Sequence, residues 1–200
     1  SGAIHEVERS LIIAVGGVIV IIFLFLLDWR APSIPAVTMP VALIGTVAGI
    51  YAFGFSLNIL TLLALVIATG IVVDDAIVVL ENITRRRGMG LGPRAAAVLG
   101  TQEVFFAVVA TTATLAAVFI PISFLPGQTG QLFREFGFTL AISVGLSAVV
   151  ALSLAPMMAS RMLKPHVERK PNPIERFGGL LAAMYRGSLR VVLANPLIVI

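Results

Sequence analysis

Cysteine is absent from the 200-residue chain. Without it there is no disulfide framework, no thiolate metal site and no cysteine nucleophile, and neither redox compartment is favoured. Charge is nearly as scarce. Asp, Glu, Lys and Arg supply 12% of the residues against 58% hydrophobic, where a soluble domain has about a quarter of its residues charged. So few polar side chains cannot cover a folded surface, which excludes an ordinary water-soluble domain. The two histidines, His5 and His166, lie outside the apolar runs, and no metal-ligand cluster, phosphate-binding glycine loop or Ser-His-Asp order occurs. No cofactor and no metal are expected.

What is present is apolar length. A helix crossing a hydrocarbon core of about 30 Å needs roughly 20 apolar residues, and charge-free runs of that order recur. The reading is an all-α membrane protein, a polytopic transmembrane helix bundle. A lead-in over 1–9 precedes a first span over 10–28, closed by Asp28-Trp29-Arg30 with an interfacial aromatic. The charge-free stretch from Ala31 to Val73 holds two spans, over 35–54 and 57–82, broken at Gly54-Phe55-Ser56-Leu57-Asn58, its one cluster of turn-formers. A loop over 83–101 leads to a span over 102–125. A loop over 126–134 leads to a fifth span over 135–160. The segment 161–195 follows, and a further span begins at 196–200. With no basic leader, no cleavage site and no initiator Met, the chain reads as an internal piece of a longer protein.

Lys and Arg record the sidedness of these spans. Arg30, then Arg85, Arg86, Arg87 and Arg94, then seven residues between Arg161 and Arg190 fall on one side, twelve in all; Arg9 and Arg134 alone fall on the other. The side with twelve is expected to be cytoplasmic. The net charge of +4 is therefore topology rather than a nucleic-acid surface, and no nucleic-acid partner is expected. The Arg85-Arg86-Arg87 run reads as an anchor beside anionic membrane lipid. Asn172-Pro173-Ile174-Glu175 supplies a helix start. Over 172–190 the apolar Ile174, Phe177, Leu181 and Met184 fall opposite Arg176, Arg186 and Arg190, as in a helix lying on the membrane surface. A loose linker is the competing reading, since Gly178, Gly179 and Gly187 weaken the helix.

Two acids are in the wrong solvent. Asp74 and Asp75 interrupt the otherwise apolar Gly70–Val79 stretch. Asp75 lies ten residues before Arg85, about 15 Å along a helix axis, which places it within the hydrocarbon. A carboxylate there costs several kcal/mol unless paired, hydrated or protonated, and two adjacent ones titrate as a coupled pair. Passive packing against a polar crevice is the bland alternative; a proton or cation relay is the default for such residues. All fourteen Lys and Arg belong to loops or span edges, so the neutralising partner must be a bound ion or a residue on another segment. Thr111, Thr112, Thr114, Ser143 and Ser147 could lend hydroxyls to a proton path, although such residues more often bond their own helix backbone. Gly45 with Gly49, Ala64 with Ala68, Ala113 with Ala117, and Gly137, Ala141 and Gly145 have the spacing that lets membrane helices approach closely. Glu81 and Asn82 are expected to face headgroups.

Gly70-Ile71-Val72-Val73-Asp74-Asp75-Ala76-Ile77-Val78-Val79-Leu80-Glu81-Asn82 closely resembles the signature fourth transmembrane helix of the resistance-nodulation-division (RND) efflux pumps. Flanking motifs agree: Asp28-Trp29-Arg30-Ala31 through Ile34-Pro35 with Val37-Thr38-Met39-Pro40-Val41, Gly54 to Thr61, Phe119-Ile120-Pro121 with Gly127 to Phe136, and Ala151 to Pro156. The resemblance covers nearly the whole chain. It implies helices two to six of twelve, with helix seven begun at 196–200 and the amphipathic stretch as the inner-surface link between two halves. It further implies a proton-coupled drug antiporter of the bacterial inner membrane, with Asp74 and Asp75 as the proton relay and protons as the coupling ion. The pair would be neutralised by an intramembrane Lys in a missing second half of the same protein, within a homotrimer served by a periplasmic adaptor and an outer-membrane channel. The Asp-Asp pair favours hydrophobic or amphiphilic cargo, since the family's heavy-metal exporters usually keep only the first aspartate. Lipid, protein-export or metal relatives share the relay. An intramembrane aspartyl protease, the enzymatic alternative, needs acids on two facing helices, and a channel needs pore-lining polar residues on several.

Overall fold

The computed structural model describes residues 30–163 continuously, with isolated helical positions at Arg9, Ile12, Ile13, Gly16, Gly17, Val20, Met184, Tyr185 and Gly187. The first span (10–28), the amphipathic stretch (172–190) and the final stub (196–200) otherwise lie outside the described residues. Val167–Ile200 forms a separate unit from the preceding chain; of it, Met184 and Tyr185 are helical and exposed.

The described part of the first unit is all helix and turn. Its elements are α1 (Arg30–Ala52), α2 (Ile59–Gly88), α3 (Pro93–Ile122) and α4 (Gly127–Met162). Each is long and apolar enough to cross a membrane, and together they make a polytopic helix bundle. Helix α4 packs against all three others, whereas α1 and α3 do not touch.

The helix ends depart from the expected span ends, for local reasons: α1, α2 and α3 run past at one end and stop short at the other, and α4 runs past at both. Helix α1 already includes Arg30 to Ile34, ahead of the expected start at 35, and stays continuous through Pro35 and Pro40. Among its hydroxyls, Thr38 donates to the Pro35 carbonyl at 3.3 Å and Thr46 to that of Ala42 at 2.8 Å. Gly54, at φ +73°, takes the left-handed turn after α1 that a side chain would resist. Asn58 then caps α2 with a reciprocal box: its side chain accepts from Leu60 and Thr61 N–H, and Thr61 Oγ1 accepts from Asn58 N–H at 2.8 Å. At its far end α2 continues past residue 82 to Gly88, with Arg85, Arg86 and Arg87 in the last turn, where cations complement exposed carbonyls. The region 83–101 is thus mostly helical, broken at 89–92, because Pro93 opens α3 at the position where a missing N–H is harmless. The region 126–134 likewise belongs to α4, which starts at Gly127. Hydropathy reads the thickness of the hydrocarbon, not the length of the helix.

Two buried clusters fill the interior. One joins Val79, Leu80 and Ile83 of α2 to Ala97, Ala151 and Ala155. The other joins Ala64, Ala68, Val72 and Val73 to Met39 and Leu140. Small residues set the approach distances. A methyl added at Gly49 would meet Ile142 at 2.8 Å, and one at Gly100 would lie 2.9 Å from the Ile83 Cα. Ala64 and Ala68 are fully buried, whereas Ala113 and Ala117 are both exposed. The small-residue rows of α1 and α2 therefore pack, and that of α3 does not within the described chain.

Candidate functional site

Asp74 and Asp75 sit at the midpoint of α2. Ile59 lies fifteen positions before Asp74 and Gly88 thirteen positions after Asp75, so roughly 20 Å of helix extends on either side. They fall at the seam between the two clusters: Val72 and Val73 belong to one, Ala76 to the other. Asp74 is exposed at the side of this bundle and Asp75 is half-buried. Because neighbouring residues of a helix diverge by about 100°, the pair addresses two directions at once.

The inward-facing member meets α4. Ser147 Oγ lies 2.8 Å from Asp75 Oδ2 and 3.1 Å from the Val72 carbonyl oxygen. One hydroxyl hydrogen donates to either acceptor in turn, so Ser147 can hold the carboxylate or release it to the backbone. Among the described residues no ion pair reaches Asp74 or Asp75; the pairs present are those of Arg85 and Arg86 with Glu103, at the end of α2. No second carboxyl faces Asp75 in the described part, so the two-acid arrangement of an aspartyl protease is not formed there.

Of the hydroxyls considered from sequence, Thr111, Thr112 and Thr114 bond carbonyls of their own helix, to Ala107 and Val108, Val108, and Ala110. Ser147 crosses to the aspartate instead. Ser143 is buried and has no hydrogen-bond partner among the described residues.

Asn82 corrects an expectation. It does not face headgroups: it is buried, and its Nδ2 donates to the Gly100 carbonyl at 2.7 Å and to Glu103 Oε2 at 2.8 Å. Arg85 Nε donates back to Asn82 Oδ1 at 3.0 Å, and Arg86 pairs with the same Glu103. This knot ties α2 to α3. A counterpart at the opposite end ties α2 to α4, where Glu135 accepts from Ser56 and Asn58. Both knots were invisible as sites in the sequence because each joins residues that look like ordinary helix-end polar groups. The Asn82–Glu103 separation of 21 positions offered no periodic signal.

The geometry is that of a bundle of membrane-length helices with an acidic pair at the middle of α2. All 200 residues match the model of the AcrB/AcrD/AcrF family. The chain belongs to that family. It is also 51% identical over 185 residues to the multidrug resistance protein MdtC of Yersinia pestis bv. Antiqua (strain Angola), covering 92% of this chain and 18% of the relative. The MdtC of Yersinia pseudotuberculosis serotype O:1b (strain IP 31758) matches with the same identity and coverage. The chain thus spans under a fifth of the length of these relatives. AcrB/AcrD/AcrF membership agrees with the RND resemblance of the Asp74-Asp75 helix and replaces the protease reading with a transporter family.

Proposed function

We propose that this chain is the proton-handling part of the membrane domain of a drug/proton antiporter, with Asp74 and Asp75 as the relay. The observation that carries the reading is a carboxyl pair at the centre of a membrane-length helix, one member exposed at the side of the bundle and the other held by Ser147. Charge at that depth is tolerated when it does work or is neutralised. The exposed face of Asp74 suits a cation from a part of the protein outside this chain, an intramembrane Lys of a second half by resemblance. Protonation removes the charge that holds such a partner: a proton binds a carboxylate oxygen, the ion pair loses its attraction, and the helices bearing the two groups are free to shift. Release of the proton on the cytoplasmic side restores the pair.

The name of the relatives, multidrug resistance protein, supports drug export over lipid, protein or metal export, and the intact Asp-Asp pair supports hydrophobic or amphiphilic cargo. Protons are the coupling ion and no other cofactor is invoked. The protein resides in the bacterial inner membrane, acts as a homotrimer, and delivers its cargo through a periplasmic adaptor and outer-membrane channel. The drug pocket lies in parts of the protein beyond this chain.

The test uses the full-length transporter in inverted vesicles, with drug uptake driven by an imposed pH gradient. Asp75→Asn and Asp74→Ala are expected to lower gradient-driven uptake by about 100-fold, the scale of losing a positioned proton-transfer group, while inserting and assembling normally. Uptake at the wild-type rate in Asp75→Asn would falsify the relay; loss of insertion in both variants would make the aspartates structural.

A further inference from the structure

Helix α4 carries an uneven row. Glu135, Thr139, Ser143 and Ser147 recur at every fourth position, and the row continues as Ala151, Ala155 and Ala159. Residues four apart lie on one slowly turning helix face, and from Thr139 onward every one of them is buried. The hydroxyls end at Ser147, where the row meets Asp75. Beyond that contact each rung is a methyl group. The row is polar on one side of the aspartate and apolar on the other.

The second observation concerns what these hydroxyls bond. In an apolar helix a Ser or Thr normally donates to a carbonyl three or four residues back, as Thr46, Thr69, Thr84 and Thr101 do here. Thr139 Oγ1 and Ser143 Oγ do not. Both residues are 0% exposed, and neither oxygen has a hydrogen-bond partner among the described residues. A buried hydroxyl without a partner is unfavourable, and close packing gives no reason for it, since alanine fills the same row at 151, 155 and 159. Proton conduction does give a reason, because an uncommitted hydroxyl can accept on one side and donate on the other.

We propose that Thr139 and Ser143 are the rungs of a proton-entry path running from Glu135, in the outer part of α4, to Ser147 and Asp75. The proposal rests on the relay reading of Asp75 and adds the route by which the proton arrives. Glu135 is held at the mouth by Ser56 and Asn58, on the side that the basic-residue count places outside. From Glu135 to Ser147 is about 18 Å, and successive rungs are about 6 Å apart along the axis, a gap that one water hydrogen-bonded on both sides can bridge. At each rung the hydroxyl oxygen accepts a proton from the outward water and releases its own hydrogen to the inward one. No bond to carbon changes, and the net result is one proton delivered to a carboxylate oxygen of Asp75. The alanines beyond Ser147 offer no lone pair, so on this face protons reach Asp75 from one end alone.

The experiment measures proton flux with a trapped pH dye during drug transport by the full-length protein in proteoliposomes. Thr139→Val and Ser143→Ala are each expected to slow proton flux about tenfold. The loss is smaller than the roughly hundredfold worth of a positioned proton-transfer group because water partly replaces a hydroxyl. KM for the drug is unchanged, and the thermal midpoint is unchanged or raised because an unpartnered polar group has been removed. Ser143→Thr restores the flux. Ser153→Ala, at an exposed position bonded to its own backbone, stays at the wild-type rate. Wild-type flux in both Thr139→Val and Ser143→Ala, with Asp75→Asn inactive, overturns the path and leaves the relay standing. Flux surviving in Asp75→Asn overturns the relay and the path with it. A loss of flux that tracks a fall in thermal midpoint and is not rescued by Ser143→Thr assigns the hydroxyls to packing and also overturns the path.

Discussion

At the scale of single residues, adjacency gives the two aspartates different surroundings. Side by side on a helix, Asp74 and Asp75 point about 100° apart: one is exposed at the side of the bundle and the other meets Ser147. The pair was legible in the sequence because two acids in an unbroken apolar run have no structural excuse. Ser147 was less legible: a hydroxyl on a membrane helix defaults to its own backbone, and only the approach of α4 to α2 reveals that this one does not. Asn82 was misread for a related reason. A polar residue near a helix end suggests solvent, yet Gly100 lets α3 come close enough to bury it against Glu103. Asn82→Ala removes the buried donor to the Gly100 carbonyl and to Glu103, together with the acceptor for Arg85 Nε, and is expected to destabilise the protein by ~1–3 kcal/mol. A thermal-unfolding midpoint in detergent, equal to wild type, would contradict that placement.

At the scale of elements, the helices were legible from charge-free runs, and their ends were not. The charge-free stretch from Ala31 to Val73 divides between Ala52 and Ile59, around the turn-formers and the Asn58 cap. The continuation of α2 through its arginines, and the early starts of α3 and α4, follow from capping and proline position rather than from hydropathy, so no window of apolar residues could reveal them. Packing between elements depends on a few missing side chains. Gly100 is the clearest, because the Ile83 backbone stands where a side chain would begin. Gly100→Leu must push α3 away from α2 and is expected to cost about 1–3 kcal/mol while disturbing the Asn82–Glu103 knot. A crosslink between cysteines introduced at Leu80 and Val104 should form less readily in that variant; unchanged crosslinking would show that the close approach is not needed.

At the scale of the molecule, the two clusters meet at the aspartates and the two polar knots lie at opposite ends of α2. A helix fastened at both ends and charged in the middle is suited to responding as one body when its central charge changes. The extreme composition fits this arrangement: 58% of the residues are hydrophobic, and within α2 the charged residues are Asp74 and Asp75 at the middle and Glu81 to Arg87 towards the end. The most direct measurement of the central claim is the response of a pH gradient to drug addition in proteoliposomes containing the full-length transporter. The account predicts that drug collapses the gradient in the wild type and leaves it intact in Asp75→Asn. Collapse of equal rate and extent in both proteins would contradict it.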